Sequence, residues 1–194
     1  MATKEDLAIP VGKNVFTLPL AHLLPLWLNI GCGKDYREGW LNVDLSLGIR
    51  ADEHFDAFTF PWDLPSSHFE TVVVNHLVEH IPHQVPDYSG DGFYVFFEEV
   101  YRVLRPGGKV SVAVPYWKHA NAVVDPTHTR VVHPKAFDFF NPDHPQHHQT
   151  HAKFLVSSRK TRRGDRICRY FKSHFDLAVP GVRKVDLEVT LVKV

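Results

Sequence analysis

The chain has 194 residues, with 22 Lys and Arg against 22 Asp and Glu, so its formal net charge at pH 7 is zero. That length fits one domain, and the balanced charge excludes a global positive field that would gather nucleic acid or an anionic membrane. Two cysteines, Cys32 and Cys168, build no disulfide framework, no run approaches the ~20 apolar residues that span a bilayer, and the opening MATKEDLAIP has no signal-peptide pattern, so a cytoplasmic protein without membrane partners is expected.

Residues 1–25 read as a lead-in segment whose prolines at 10, 19 and 25 forbid a long helix. Residues 26–194 read as the single folded domain. It opens with an apolar run, Leu26-Trp27-Leu28-Asn29-Ile30, that breaks at Gly31-Cys32-Gly33. A second run, Trp40-Leu41-Asn42-Val43, ends on Asp44. A strand, a glycine turn, a second strand and an acid at its tip are the parts of a nucleoside-binding crevice: glycines admit the ligand close to the backbone, and a carboxylate accepts two hydrogen bonds from a ribose diol. Only residues 34–39 separate the two runs, whereas a parallel pair normally needs a crossover of about a dozen residues. The first helix is therefore one turn or absent, or the second run pairs differently.

Residues 51–65 hold Phe55, Phe58, Phe60 and Trp62 among acids and prolines, and predict a short strand near Phe55 followed by a loop. Residues 69–76, FETVVVNH, are β-branched and predict a buried strand. After a Pro- and Gly-rich loop, Phe93, Phe96, Phe97, Val100, Tyr101 and Leu104 recur at helical spacing, with Asp91 as a cap and Arg105-Pro106-Gly107-Gly108 as the stop. Residues 109–114 predict the next strand, so strand, helix and strand form a βαβ unit in a mostly parallel sheet. Residues 116–152 are irregular except for a short helix expected at 134–140, behind Pro134. Residues 153–158 and 187–194 read as strands, with a basic stretch and a piece at 167–171 between them.

LNIGCG (28–33), NVD (42–44), NHLVEHIP (75–82), EVYRVLRPGGKVSVAVP (99–115) and HTRVVHPKAF (128–137) together resemble the class I S-adenosylmethionine-dependent methyltransferases, in particular the small-molecule branch called type 11. The resemblance implies an α/β, Rossmann-like sandwich with a mostly parallel seven-stranded sheet, an antiparallel terminal strand pair and, here, a shortened first helix. It implies S-adenosyl-L-methionine as cofactor and S-adenosyl-L-homocysteine as product. Asn29, Gly31, Cys32 and Gly33 would wrap the methionine end, Asp44 and Leu45 the ribose, Asp56 and Ala57 the adenine (with Asp63 second to Asp56), and Asn75 and His76 the sulfonium. Two positions depart from the family pattern: Asn29 replaces an acid and so brings no charge, and Asp35 replaces a third glycine.

Methyl transfer needs alignment and exclusion of water more than it needs a catalytic triad. A base is required only where the acceptor must lose a proton, and His76, His119 and His128 are the candidates. Tyr116, Trp117 and Asp125 are placed to bind the acceptor, in a segment around 116–152 that would cover the pocket. Glu79-His80 reads as a structural pair, a carboxylate and an imidazole fixing the next helix start. His144, His147, His148 and His151 have helical spacing, but Pro142 and Pro145 interrupt it, so they read as solvated loop and no metal is expected. Arg159, Lys160, Arg162, Arg163, Arg166 and Arg169 form a basic run that reads as a solvated hairpin loop. The expected activity is methyl transfer to an oxygen or nitrogen of a small molecule. The alternatives are a nucleic-acid acceptor gripped by the basic run, and a cofactor-binding module without transfer activity.

Overall fold

The structure, a computed structural model, describes residues 24–163 and 184–194. The expected lead-in up to residue 23, the strand piece at 167–171, Cys168, Arg166 and Arg169 lie outside the described residues. Strands β1 (Trp27–Ile30), β2 (Leu41–Val43), β3 (Phe69–Asn75), β4 (Leu104–Pro115), β5 (Phe154–Arg163) and β6 (Lys184–Lys193) form one sheet in the order β2-β1-β3-β4-β6-β5. The first four run parallel, and β6 is antiparallel to both β4 and β5.

Side chains alternate between the two faces of a strand, so the register puts whole rows of apolar residues on one face. Leu41, Leu28, Val72, Val110 and Leu191 are successive partners across the sheet, as are Val43, Ile30, Val74, Val112 and Val189, and all are buried. The intervening row, Asn42, Asn29, Val73, Ser111 and Thr190, is mostly polar. Helix α1 (Gly92–Val103) buries Phe93, Phe96, Phe97 and Val100 of the expected stripe and Val103 besides, whereas Tyr101 is half-buried and Leu104, expected on the same helix face, is instead the first residue of β4. Asp91 caps it by accepting from the Phe93 N–H at 2.8 Å. The expected helix behind Pro134 is a 3-10 helix, Pro134–Phe140, with His133 Nδ1 accepting from the Lys135 N–H. No helix among the described residues is long and apolar enough to cross a membrane.

The expected count of seven strands is corrected to six among the described residues. Where a strand was expected near Phe55 there is a single parallel bridge, Val43 to Glu53, followed by turns. The aromatics of that stretch pack inward instead of extending a ladder. Phe58, Phe60 and Trp62 all lie against Phe96 of α1, with ring centroids 6.3, 6.5 and 5.6 Å away. Pro61 and Pro65 also lack the N–H groups that a strand would need.

The short crossover is resolved plainly. β1 and β2 are parallel, and residues 31–40 join them with turns and no helix. A polar hub does the work a helix would do. The Asn42 side chain, fully buried, accepts at Oδ1 from Asn29 Nδ2 and the Arg37 N–H. Through Nδ2 it donates to the carbonyls of Arg37 and Trp40 and to Asp52 Oδ2. Each buried donor and acceptor thus finds a partner, which is what allows irregular backbone to lie on the sheet.

Candidate cofactor and acceptor site

The turn after β1 carries Gly31 and Gly33 at φ of +65° and +52°, a region that favours glycine. A Cβ on Gly31 would meet the Leu77 side chain at 3.1 Å, whereas one on Gly33 would stand in open space. Gly33 is therefore where a ligand can approach the backbone. Asp44, at the tip of β2, accepts from the Gly33 N–H at 2.8 Å through Oδ2 and from the Ser46 N–H at 2.9 Å through Oδ1. Each carboxylate oxygen keeps further lone-pair capacity for a bound hydroxyl. Leu45 beside it is exposed.

Cys32 and Asn29 are turned into the protein. The Cys32 N–H donates to the Val43 carbonyl, and burial first, then Asp44 and Asp52, pushes its thiol pKa up. Such a thiol is inert as a nucleophile. Asn29, 1% exposed, donates to the Asp35 carbonyl at 2.7 Å and to Asn42. It braces the glycine turn from behind. Asp52, which the sequence did not single out, accepts from Asn42 twice and from the Tyr36 hydroxyl. Burial alone would raise its pKa, but these hydrogen bonds outweigh it and hold the carboxyl below its ordinary value.

A cavity of about 510 Å³ opens next to Asp44, lined among others by Glu53, His54, Asp56, Trp62 and Asp63. The two are joined: Asp44 donates its N–H to Glu53, and His54 Nδ1 lies 3.2 Å from the Asp44 carbonyl. Asp56 turns back on its own loop, accepting from the Phe58 N–H and the Thr59 hydroxyl. Ala57 presents its carbonyl to Trp62 Nε1. Asp63 has a buried Oδ2 with no hydrogen-bond partner among the described residues. The cavity floor is nailed to α1 by Glu99, whose carboxylate accepts from the Trp62 N–H and from Arg102. Arg102 also donates to the carbonyls of Trp62 and Leu64.

At the carboxyl end of β3, Asn75 reaches Asp35 of the crossover at 3.4 Å. His76 follows at φ +51°, an unusual conformation for a residue with a Cβ, held by its N–H bond to the Ala113 carbonyl. Its ring lies between two carboxylates, with Nδ1 3.3 Å from Glu79 Oε1 and Nε2 3.8 Å from Asp186 Oδ1. The hydrogen bond to Glu79 raises its pKa above the ordinary histidine value against the opposing effect of burial.

The segment after β4 returns over this edge. Trp117 meets His133 edge-on, with Lys118 Nζ over the Trp117 ring 4.6 Å from its centroid, and Tyr116 packs against the core. His119 caps a short turn by accepting at Nδ1 from the Asn121 N–H. His128 is 9% exposed and packs its ring 4.7 Å from that of His80, with Asp125 Oδ2 3.9 Å from its Nε2. The structure thus gathers the glycine turn, Asp44 and His76 at the carboxyl ends of the parallel strands, where open α/β sheets place ligands, with Asp56 in the cavity that adjoins Asp44 through Glu53 and His54. It sets His119 and His128 into local structure. The histidines at 144, 147, 148 and 151 do not converge: His144 packs on Phe139, and His147 Nδ1 faces the Phe139 carbonyl.

No protein-family profile matches the chain, and no curated protein matches it. Solved structures do. An S-adenosylmethionine-dependent methyltransferase from Archaeoglobus fulgidus is 17% identical, with a TM-score of 0.55 over 91% of this chain and 89% of that one. A putative S-adenosylmethionine-dependent methyltransferase from Listeria monocytogenes is 12% identical, with a TM-score of 0.52 over 91% and 96%. Phosphoethanolamine N-methyltransferase 2 from Haemonchus contortus, solved with S-adenosyl-L-methionine, is 13% identical, with a TM-score of 0.51 over 86% of this chain and 48% of that one. Strand order, the antiparallel last pair and these likenesses agree: the chain has the class I S-adenosylmethionine-dependent methyltransferase fold.

Proposed function

We propose that the protein is an S-adenosyl-L-methionine-dependent methyltransferase acting on an oxygen or nitrogen of a small-molecule acceptor, with S-adenosyl-L-homocysteine as product. The observation that carries this reading is the Asp44 carboxylate, held by Gly33 and Ser46 beside open space at the glycine turn. The residues fit the cofactor: Gly33 leaves room for the methionine end, Asp44 takes the ribose hydroxyls, and the cavity running to Asp56 and Asp63 takes the base. When bound, S-adenosylmethionine supplies a methyl group on a sulfonium, a leaving group that needs no acid.

The chain's own task is then alignment, exclusion of water and, for an acceptor that must lose a proton, a base. His76 is the residue for that role. It is half exposed at the strand end, and Glu79 fixes the ring through Nδ1, so Nε2 is the nitrogen that would take the proton. His119 spends its Nδ1 lone pair on Asn121, which puts the proton of the neutral ring on Nε2 and leaves no free acceptor. Tyr116, Trp117 and Asp125 belong to the segment that would lie over the acceptor. A small acceptor is favoured over nucleic acid because the basic run is partly neutralised: Arg159 pairs with Asp138 and Arg162 with Glu188.

Titration calorimetry with S-adenosylmethionine and S-adenosylhomocysteine, followed by a labelled-methyl transfer screen over hydroxyl and amine acceptors, tests the reading. Binding of both with transfer to at least one acceptor is expected. Binding with no transfer to any acceptor would leave a cofactor-binding module, and failure to bind either compound would remove the proposal.

A further inference from the structure

Beyond the cofactor cradle, the fold brings one carboxylate and two imidazoles together. Glu79, His80 and His128 each offer a ligand atom, and these atoms lie within 4.8 Å of one another. No other group of three His, Cys, Asp or Glu side chains among the described residues comes this close.

Three further features point to a ligand there. Glu79 is 2% exposed, and while its Oε1 faces His76, its Oε2 is buried with no hydrogen-bond partner among the described residues. A buried carboxylate oxygen is costly unless a cation or a donor answers it. Both imidazoles are held from behind by backbone carbonyls: His80 Nδ1 lies 3.2 Å from the Thr127 carbonyl and equally close to the Thr127 hydroxyl, whose own proton goes to Asp125, and His128 Nδ1 lies 3.4 Å from the carbonyl of Ala122. A carbonyl only accepts, so Nδ1 carries the proton and Nε2 keeps its lone pair, the arrangement found behind metal-ligating histidines. The two chain segments are also locked together. The Thr129 and Arg130 N–H groups donate to the Glu79 carbonyl, the Thr129 hydroxyl donates to Ile81, and the Arg130 guanidinium donates to Ile81, Pro82 and Asp91.

We propose that Glu79, His80 and His128 bind a divalent transition-metal ion of the zinc class, joining the exit of β3 to the segment that follows β4. Two imidazoles and one carboxylate, with no thiolate, are a ligand set for Zn²⁺ and its neighbours rather than for Ca²⁺ or Mg²⁺. Bonds of about 2.0–2.2 Å bring ligand atoms closer together than 4.8 Å, so side-chain rotation closes the cluster on the ion. Asp125, 3.9 Å from His128 Nε2, stands at the rim as a fourth donor. This inference does not depend on methyl transfer.

The test is a metal titration of the full chain after chelator treatment and dialysis. One Co²⁺ per chain should bind, with visible ligand-field bands that Zn²⁺ displaces. Glu79→Gln, His80→Ala and His128→Ala should each weaken Co²⁺ binding about 10- to 100-fold or more, with circular dichroism checking that each variant is folded. His147→Ala combined with His148→Ala should bind as wild type. Wild-type protein that takes up no Co²⁺ at micromolar concentrations overturns the proposal, even if a variant fails to fold. So does loss of binding in the His147/His148 variant with retention in the folded His80 and His128 variants. Cofactor binding is measured separately, so either proposal can fail without the other.

Discussion

The Asp44 carboxylate accepts a hydrogen bond from the Gly33 N–H at 2.8 Å, tying the tip of β2 to the turn that leaves β1. The same side chain thus braces the glycine turn while keeping lone pairs that a ligand hydroxyl can meet. Two neighbouring parallel strands end on one preformed surface because of it.

Asp44→Ala should weaken S-adenosylmethionine binding by roughly 1.5–3 kcal/mol, about 10- to 100-fold in Kd, through loss of charge-assisted hydrogen bonds. Calorimetry on the two proteins checks this. Unchanged affinity would remove Asp44 from the site.

His76→Ala should lower turnover by about 10²–10⁴ if the acceptor must be deprotonated, with cofactor affinity nearly unchanged. Single-turnover rates beside equilibrium titrations separate the two effects. Full activity would mean that positioning alone carries the reaction.

Asn42→Leu should destabilise the protein by about 2–4 kcal/mol, because Asn29, Asp52 and the crossover carbonyls lose buried partners together. Urea unfolding reads this as a lower midpoint with an unchanged slope. A near-neutral result would show that the crossover does not depend on the hub.

Asp91 sets a pH dependence of stability. Burial would raise its pKa, but hydrogen bonds from His83, Arg130 and the Phe93 N–H outweigh burial and lower it from the ordinary value of 3.8. The folded state therefore stays ionised where the unfolded chain already takes up a proton. The stability this contributes is complete above the unfolded value and is lost as pH falls through the lower folded one. Unfolding midpoints measured from pH 6 down to about pH 2 should fall less steeply in Asp91→Ala than in wild type at the acid end.

Arg102→Ala should cost about 3–5 kcal/mol, since it leaves the nearly buried Glu99 carboxylate without its bidentate partner and frees the cavity floor at Trp62 and Leu64. Thermal unfolding with and without S-adenosylhomocysteine would register both the stability loss and a weaker ligand-induced shift.

Periodicity made the framework legible. The stripe Phe93, Phe96, Phe97 and Val100, the β-branched run before Asn75 and the Asp91 cap are local signals, and each appears in the structure as the sequence predicts. What escaped depends on how loops fold back. The Asn42 hub joins residues up to 13 positions apart through an irregular crossover, and no spacing rule announces it. The aromatics at 55–62 suggested a strand because aromatic content favours strands, but the nearby face of α1 offered them better burial. Glu79 and His80 looked like a local pair because their third partner, His128, lies 48 positions away in sequence and only the return of the covering segment brings it close.

β2 has only three residues and, among the described residues, sits at the edge of the sheet with no more than the single Val43–Glu53 bridge beyond it. Edge segments with so few ladder bonds open at a small fraction of the global unfolding free energy. The amides of residues 42–44 should therefore exchange with deuterium long before those of β3 and β4. Because Asp44 rides on that strand, a bound nucleoside would slow exchange there first, and the degree of slowing would report occupancy without any knowledge of the methyl acceptor.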